Sequence, residues 1–343
     1  MAQHLLRLVI VGFGNVGSAV ARHAAERAER LRERYGVDPR LVGAVDTTGA
    51  VWNESGLDGV ALAEWRESGR RLREWAGASE PPSPPELLAR GVDCSVVALP
   101  TNRVTGEPGL TWARAALEAG SHVVLADKGP ALLALPELEA HAAARGLRVG
   151  ASATVGSSLP TLTVARRELA GGEIREIAGI LNGTTNMILT LMRDQGLSFD
   201  EALRRAQTAG IAEPDPSYDV AGWDTAVKLT ILTRALLDPS VSLETVSRRG
   251  IDEIPDEVTA AAAEGAGRIR LVGRARRNDE GTRVTVAPEV VPPDDPFYLV
   301  EGALKAAKFV SDDFGQLVVL GGASGRRDVA AAILKDIVEV TRS

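Results

Sequence analysis

At 343 residues the chain is long enough for about two domains, and with 45% hydrophobic and few aromatic residues it has the composition of an ordinary α/β protein, which excludes a fibre or a disordered segment. A formal charge of -7 argues against nucleic acid or an anionic membrane surface as the main partner. One cysteine excludes an intrachain disulfide and fits a reducing cytoplasm, and the four histidines fall in no metal-ligand spacing.

The first residues, MAQHLLRLVIVGFG, hold an apolar run far too short to span a membrane and lead into a glycine motif in place of a cleavage site, so a cytoplasmic location is expected. Leu6 to Val11 reads as a short strand, followed by Gly12-Phe13-Gly14-Asn15-Val16-Gly17 and a long Ala/Arg/Glu helix. GxGxxG between a strand and a helix is a dinucleotide fingerprint. Gly12 allows the tight turn, Gly14 lets the backbone approach a pyrophosphate, and Gly17 lets helix and strand pack closely. The helix N-terminus then offers unpaired N–H groups to the phosphates. The next strand, Arg40 to Val45, ends in Asp46. An acid there reads the adenosine ribose hydroxyls and favours NAD; the competing reading is a turn Asp ahead of Thr47-Thr48-Gly49. Arg66, Arg70, Arg71 and Arg73 lie downstream and keep NADP open.

Ser79 to Pro85, SEPPSPP, is expected as a surface loop. The strand Cys94 to Leu99 runs into Pro100-Thr101-Asn102, and because open α/β sheets bind ligands at the carboxyl ends of their strands, Thr101 is a cofactor-contact candidate. Cys94 opens an apolar strand and reads as a core residue, not a nucleophile. His122 to Ala126 ends in Asp127-Lys128-Gly129-Pro130, where Lys128 is either solvated surface or a charge aimed into a cleft. Leu147 to Gly150 completes a doubly wound sheet.

Beyond Gly150 the small-residue turn Ala153 to Pro160 suggests a domain boundary. Ile174 to Leu181 reads as a strand ending in Asn182-Gly183-Thr184-Thr185-Asn186, which opens a helix whose amides and hydroxyls could hold a substrate carboxylate; taken alone, an ordinary Thr or Asn cap is the preferred reading. From Ile211 to Lys228, Glu213, Asp215, Asp219 and Asp224 cluster around Pro214, Pro216 and Gly222, and the segment enters VKLTILTRALL, which has helical apolar spacing. Asp224 and Lys228 are four apart and share one helix face. Carboxylates clustered near an ammonium suit a small zwitterionic substrate. Taken alone, however, the pair reads as an exposed ion pair and Asp219 as a helix cap. Strands around Arg268 to Ala275, Val284 to Val291 and Lys308 to Ser311 give the second domain its own sheet, and Gly321 to Gly325 with the apolar helix to Val340 reads as a return to the first domain.

GFGNVG, ADKGP, ATVGSSLP, GILNGTTN and GIAEPDPSYDVAGWDTAVK, in that order over most of the chain, resemble homoserine dehydrogenase. The resemblance implies a homodimer that reduces L-aspartate 4-semialdehyde to L-homoserine with NADH or NADPH, in threonine and methionine biosynthesis. On the matching positions it implies Lys228 and Lys128 as proton-relay lysines, with Asp224 supporting Lys228. It implies Glu213, Asp219, Gly183 and Thr184 as substrate contacts, and Gly12 to Gly17, Asp46, Thr101 and Lys128 as cofactor contacts. A sodium ion on the backbone carbonyls of Val155, Ser157 and Leu159 is implied too. A lysine serves as general acid near neutral pH only if burial or a second cation lowers its pKa, and Lys128 would be that cation. Ser152 stands where the family often has Glu, Ile211 where it has Tyr, and Ala323-Ser324-Gly325…Val329-Ala330 where it has GAG…TA.

The expected architecture is α/β, a doubly wound Rossmann-type parallel sheet with a second α/β domain. Residues 1–150 would form the dinucleotide-binding domain, 151–302 the substrate, catalytic and dimerisation domain, and 303–343 a C-terminal return to the first. Many members of the family carry a further threonine-binding regulatory domain. No segment of this chain is left over for one, so a short form insensitive to threonine is expected. Two alternatives stay open: another Rossmann-fold dehydrogenase acting on an amino-acid-derived aldehyde or oxo acid, and a non-catalytic dinucleotide-sensing module. The phosphorylating aspartate-semialdehyde enzyme is disfavoured, because it needs a thiol nucleophile and Cys94 begins a strand instead of ending one.

Overall fold

The computed structural model describes residues 4–322 and 325–342. The chain divides into two units, Met1–Thr154 with Gly325–Ser343, and Val155–Ser324. Each holds one six-stranded sheet.

In the first unit β1 (His4–Val11), β2 (Val37–Asp46), β3 (Gly49–Trp52), β4 (Cys94–Val97), β5 (His122–Leu125) and β6 (Val149–Gly150) lie in the order β3-β2-β1-β4-β5-β6. β3 folds back antiparallel on β2, and the other neighbours are parallel. Consecutive residues of β1 are buried, Leu8, Val9 and Ile10 completely, as in a parallel sheet covered on both faces. That burial is why the strand reads as an unbroken apolar run. The strand order reverses at β1, which puts the start of the glycine loop at a switch point of the sheet. The long helix Asn15–Tyr35 packs against the C-terminal helix Arg326–Thr341, which also meets β5 and β6.

The second unit orders β7 (Ile174–Ile180), β8 (Ser247–Arg248), β9 (Arg268–Asn278), β10 (Gly281–Val291), β11 (Lys305–Ser311) and β12 (Gly315–Gly321) as β12-β11-β7-β9-β10-β8. All neighbours are antiparallel except β10 with β8. The helix Trp223–Leu236 lies on β7, β9 and β10. Every residue from Asp224 to Thr233 is buried, so the helix is enclosed all round and not merely amphipathic. Two of its buried threonines, Thr230 and Thr233, donate back to the carbonyls of Ala226 and Leu229, each at 2.8 Å, whereas Thr225 Oγ1 is buried without a hydrogen-bond partner among the described residues. Gly273 of β9 permits this close approach: a Cβ there would lie 3.1 Å from Leu229 Cδ2.

The strand expected at Lys308 to Ser311 is β11 and lies in the second sheet as read, so residues 303–343 do not all return to the first unit: β12 joins that sheet too, and the return is the helix Arg326–Thr341. The unit boundary falls after Thr154, within the Ala153 to Pro160 turn read as the boundary and four residues beyond the 1–150 range. Within the Gly321 to Gly325 segment, Ala323 and Ser324 lie outside the described residues. β3, β8 and β12 were not anticipated, because short edge strands lack the alternation that identifies longer ones.

The three fingerprint glycines are glycines for different reasons. Gly12 has φ +95°, and a Cβ there would meet the Ala98 carbonyl oxygen at 2.4 Å. At Gly17 it would meet the Gly12 carbonyl oxygen at 2.2 Å, whereas at Gly14 nothing lies within 4 Å. Gly17→Ala is therefore expected to cost about 1–3 kcal/mol, the usual range for overpacking, while Gly14→Ala stays within about 0.5 kcal/mol of the parent. Urea unfolding of the two variants checks this; equal losses at both positions would refute the packing assignment.

Candidate active site

The first unit carries a cradle for a dinucleotide. Gly14 is the N-cap of the Asn15–Tyr35 helix, no side chain caps it, and a Cβ there would meet nothing within 4 Å, so the first-turn N–H groups lack a side-chain partner. This arrangement fits a pyrophosphate. Asp46 uses one oxygen as a turn acid: Oδ1 accepts from Thr48 N at 2.7 Å, Thr48 Oγ1 at 2.6 Å and Gly49 N at 3.2 Å. The turn role is thus realised at Oδ1, and Oδ2 takes no part in it. Arg66 Nε donates to the Phe13 carbonyl at 3.2 Å and sets a guanidinium on the glycine loop itself. Cys94 is fully buried, and burial pushes its thiol well above the ordinary range, which removes it as a nucleophile.

Thr101 and Lys128 meet at the end of this sheet. Thr101 Oγ1 accepts from Lys128 N at 3.3 Å, and half-buried Lys128 begins the helix Lys128–Ala143. Asp127 caps that helix by accepting from Gly129 N at 2.8 Å through Oδ1. Its Oδ2 is buried without a hydrogen-bond partner. Burial pushes the Asp127 carboxyl up to about 6, against the hydrogen bonds from Gly129 and Thr101 and the charge of Lys128. Reading the sequence did not single out Asp127. Its signal was an Asp at a cap position directly before a helical lysine.

In the second unit the side chains converge on Lys228. Lys228 Nζ sits 2.6 Å from Asp224 Oδ2 and donates to the Leu181 carbonyl at 2.9 Å. Asp224 is 6% exposed and Lys228 9%. They are therefore not the exposed pair that their spacing alone suggests. Such a pair holds in the interior only when further hydrogen bonds satisfy it. Asn182 supplies one, its Nδ2 donating to Asp224 Oδ2 at 2.9 Å while its Oδ1 accepts from Thr185 N at 2.9 Å as the N-cap of the helix Gly183–Gln195.

Asp219 is not the cap of the Trp223–Leu236 helix; that position is Gly222, left-handed at φ +81°. Asp219 lies in the turn Ser217–Val220, and burial followed by the charge of Asp224 raises its carboxyl pKa, while Thr184, Lys228 and Asn182 hold it back. Asp219, Asp224, Lys228, Asn182 and Thr184 are thus brought to one place. Glu213 and Asp215 are exposed on the preceding loop. Asp215 Oδ1 accepts from Ser217 N at 3.1 Å, and the Glu213 carbonyl accepts from Gln207 Nε2 at 3.2 Å.

The Asn182–Asn186 motif does more internal bonding than its sequence announced. Thr184 Oγ1 donates to the Ile211 carbonyl at 3.2 Å. A Cβ at Gly183 would lie 2.7 Å from the Ala303 carbonyl oxygen, so glycine is needed there for packing. Asn186, fully buried, donates through Nδ2 to the carbonyls of Val300, Gly302 and Leu304 at 3.2, 3.0 and 3.2 Å. Neither Asn182 nor Asn186 was picked out as a site residue. Both look like ordinary polar caps until their distant partners are known.

The turn expected to hold sodium already carries a side-chain cation on one of its carbonyls. Gly156 O accepts from Leu159 N at 3.0 Å and also from Lys305 Nζ at 2.8 Å. Residues 152–160 contain no acid, and at Ser152 the Oγ accepts from Lys335 Nζ at 2.8 Å.

Asp127 generates a pH prediction. Its folded-state pKa, about 6, exceeds the ordinary 3.8, so the fold binds this proton more tightly than the unfolded chain does. The group's contribution to stability is complete below about pH 4 and is lost as pH rises through about 6. Asp127→Asn keeps the cap and removes the ionisation, so its stability relative to the parent is expected to improve steadily from pH 4 to 7. Urea unfolding at each pH tests this, and a constant difference between the two proteins would sink it.

Comparison with known proteins places the chain among dehydrogenases. The Homoserine dehydrogenase family model matches residues 160–338, and a Glutamate/Leucine/Phenylalanine/Valine dehydrogenase model matches residues 3–108. The chain is 36% identical over 341 residues to an NAD(+)-dependent homoserine dehydrogenase of Pseudomonas canavaninivorans, spanning 98% of this chain and 96% of that protein. It is 35% identical over 338 residues to a homoserine dehydrogenase of Methanocaldococcus jannaschii, with 98% of each chain covered. A hyperthermophilic archaeal homoserine dehydrogenase solved in complex with NADPH superposes with a TM-score of 0.82 at 28% identity, over 98% of both chains. With the glycine cradle in one unit and the buried Asp224–Lys228 pair under the Asn182–Asn186 motif in the other, the chain belongs to the homoserine dehydrogenase family.

Proposed function

We propose that this protein is an NAD(P)-dependent oxidoreductase that interconverts L-aspartate 4-semialdehyde and L-homoserine. The observation that carries the reading is Lys228. Its ammonium has three N–H donors, of which Asp224 and the Leu181 carbonyl take two. The third is available to the carbonyl oxygen of an aldehyde. The nicotinamide cofactor supplies the hydride; as negative charge grows on the aldehyde oxygen, Lys228 donates the proton. Asp224 keeps the ammonium aimed and is itself held by Asn182. Lys128 is the second relay lysine in this reading.

The substrate's charges select the remaining roles. Asp219 and exposed Glu213 pair with the amino group, and the N-terminal amides at Gly183 and Thr184 receive the carboxylate. A homodimer is part of the same reading, following the family resemblance. The first-turn amides after Gly14 hold the pyrophosphate, with Thr101 and Lys128 as further contacts. NAD is favoured, because Asp46 would meet a 2′-phosphate with like charge. The relative from Pseudomonas canavaninivorans is described as NAD(+)-dependent, in keeping with this. Arg66, bonded to the Phe13 carbonyl, is the group that would receive a 2′-phosphate if NADP were used.

Steady-state homoserine oxidation is the test. Lys228→Ala is expected to lower kcat by roughly two orders of magnitude or more, with little change in cofactor affinity. A variant with near-normal turnover would remove Lys228 from the chemistry. In the same assay the parent enzyme is expected to show the higher kcat/KM with NAD; a clear preference for NADP would transfer the 2′-reading role from Asp46 to Arg66.

A further inference from the structure

We infer that the Lys305 ammonium is the resident cation of the Gly156–Leu159 turn, so that the protein carries as a side chain the positive charge that a bound sodium ion would otherwise supply. The turn is built from backbone oxygen. Gly156 O closes it by accepting from Leu159 N, and Ser157 adopts φ 54°, the one positive value among the described non-glycine residues. The Leu159 carbonyl packs so closely on Gly156 that a Cβ there would lie 2.0 Å from its oxygen. Carbonyl oxygens gathered in this way attract a hard cation.

Lys305 meets that demand from inside the same unit. It is 1% exposed, opens β11, and pairs in register with Gly321 of β12. Its Nζ donates to Gly156 O at 2.8 Å in a buried contact. The next glycine, Gly322, packs on Leu159: a Cβ there would lie 2.7 Å from Leu159 Cβ. Both the start of β11 and the end of β12 therefore clamp the turn. Upstream, the three carbonyls bound by Asn186 end at Leu304, so the residue that delivers the ammonium is fixed by its chain neighbour. Lys305 is a positioning residue for the turn; no catalytic step runs through it.

Thermal unfolding in matched salts tests this independently of the substrate reading. The parent protein is expected to have the same melting midpoint and turnover in tetramethylammonium chloride as in sodium or potassium chloride of equal ionic strength. Lys305→Met removes the charge at similar length, and Lys305→Gln keeps a donor for Gly156 O without charge. Both are expected to melt lower in tetramethylammonium and to recover saturably with sodium or potassium, by about 5 °C at saturation, as a ligand that binds only the folded state produces. A purely structural lysine would give variants that melt lower in every salt with no cation-specific recovery. That result overturns the inference, and so does a saturable sodium response of the parent. If Lys305→Met does not fold in tetramethylammonium, folding on addition of sodium supports the assignment and failure in all salts transfers the decision to Lys305→Gln.

Discussion

The Asp224–Lys228 pair sets the terms for the second unit. Two charges taken out of water are tolerated only where each remaining donor and acceptor is met, and losing one partner of such a pair typically costs about 3–5 kcal/mol. Here the compensation comes from three places in the sequence. Asp224 and Lys228 come from one helix, the Leu181 carbonyl follows β7, and Asn182 caps the next helix. The pair can exist only if the Trp223–Leu236 helix lies against the end of β7, and the small side of β9 at Gly273 lets it do so. Packing and reactivity thus share one constraint, because the geometry that makes the ion pair affordable also leaves Lys228 with one unused donor.

The Asn182–Asn186 segment links that pair to the approach to β11, the strand next to β7. Asn182 reaches Asp224, and one helical turn later Asn186 gathers the carbonyls of the loop that precedes β11. Lys305 follows at once and lends its charge to the Gly156–Leu159 turn. Two buried lysines are therefore anchored on backbone carbonyls, Lys228 on Leu181 and Lys305 on Gly156, with a neighbouring asparagine locating each. Lys228 also has the Asp224 carboxylate beside it.

The first unit solves a different problem, that of leaving a helix end unpaired without strain. Gly12 and Gly17 are required because a Cβ would lie 2.4 and 2.2 Å from backbone oxygens, while a Cβ at Gly14 would meet nothing within 4 Å and no side chain caps the helix there. Asp127 shows the opposite choice at the helix Lys128–Ala143, a cap so deeply buried that one oxygen finds no partner and the carboxyl holds its proton toward neutral pH.

Read alone, the amino-acid sequence determined the features whose cause is local. The strand, glycine fingerprint and helix from Leu6 onward, the placing of Asp46 at a strand end, the shared helix face of Asp224 and Lys228, and the α/β class all follow from periodicity and turn chemistry within a few residues. The motifs from GFGNVG to the Ile211–Lys228 block carried the family in the same way. The tertiary structure decided everything that depends on burial and on partners far along the chain. An i,i+4 acid–lysine pair has the same spacing in water and in a core, and only the sheet beneath it made this one buried. Asn182 and Asn186 gave no sign of partners 42 to 118 positions away, and Lys305 gave none of the Gly156 carbonyl 149 positions earlier. The placing of β11 and β12 was likewise settled by pairing with β7 and with each other, not by any pattern inside the strands. Long-range hydrogen bonds are chosen by the fold as a whole, so their residues look like caps, surface charges or strand ends until the chain has closed around them.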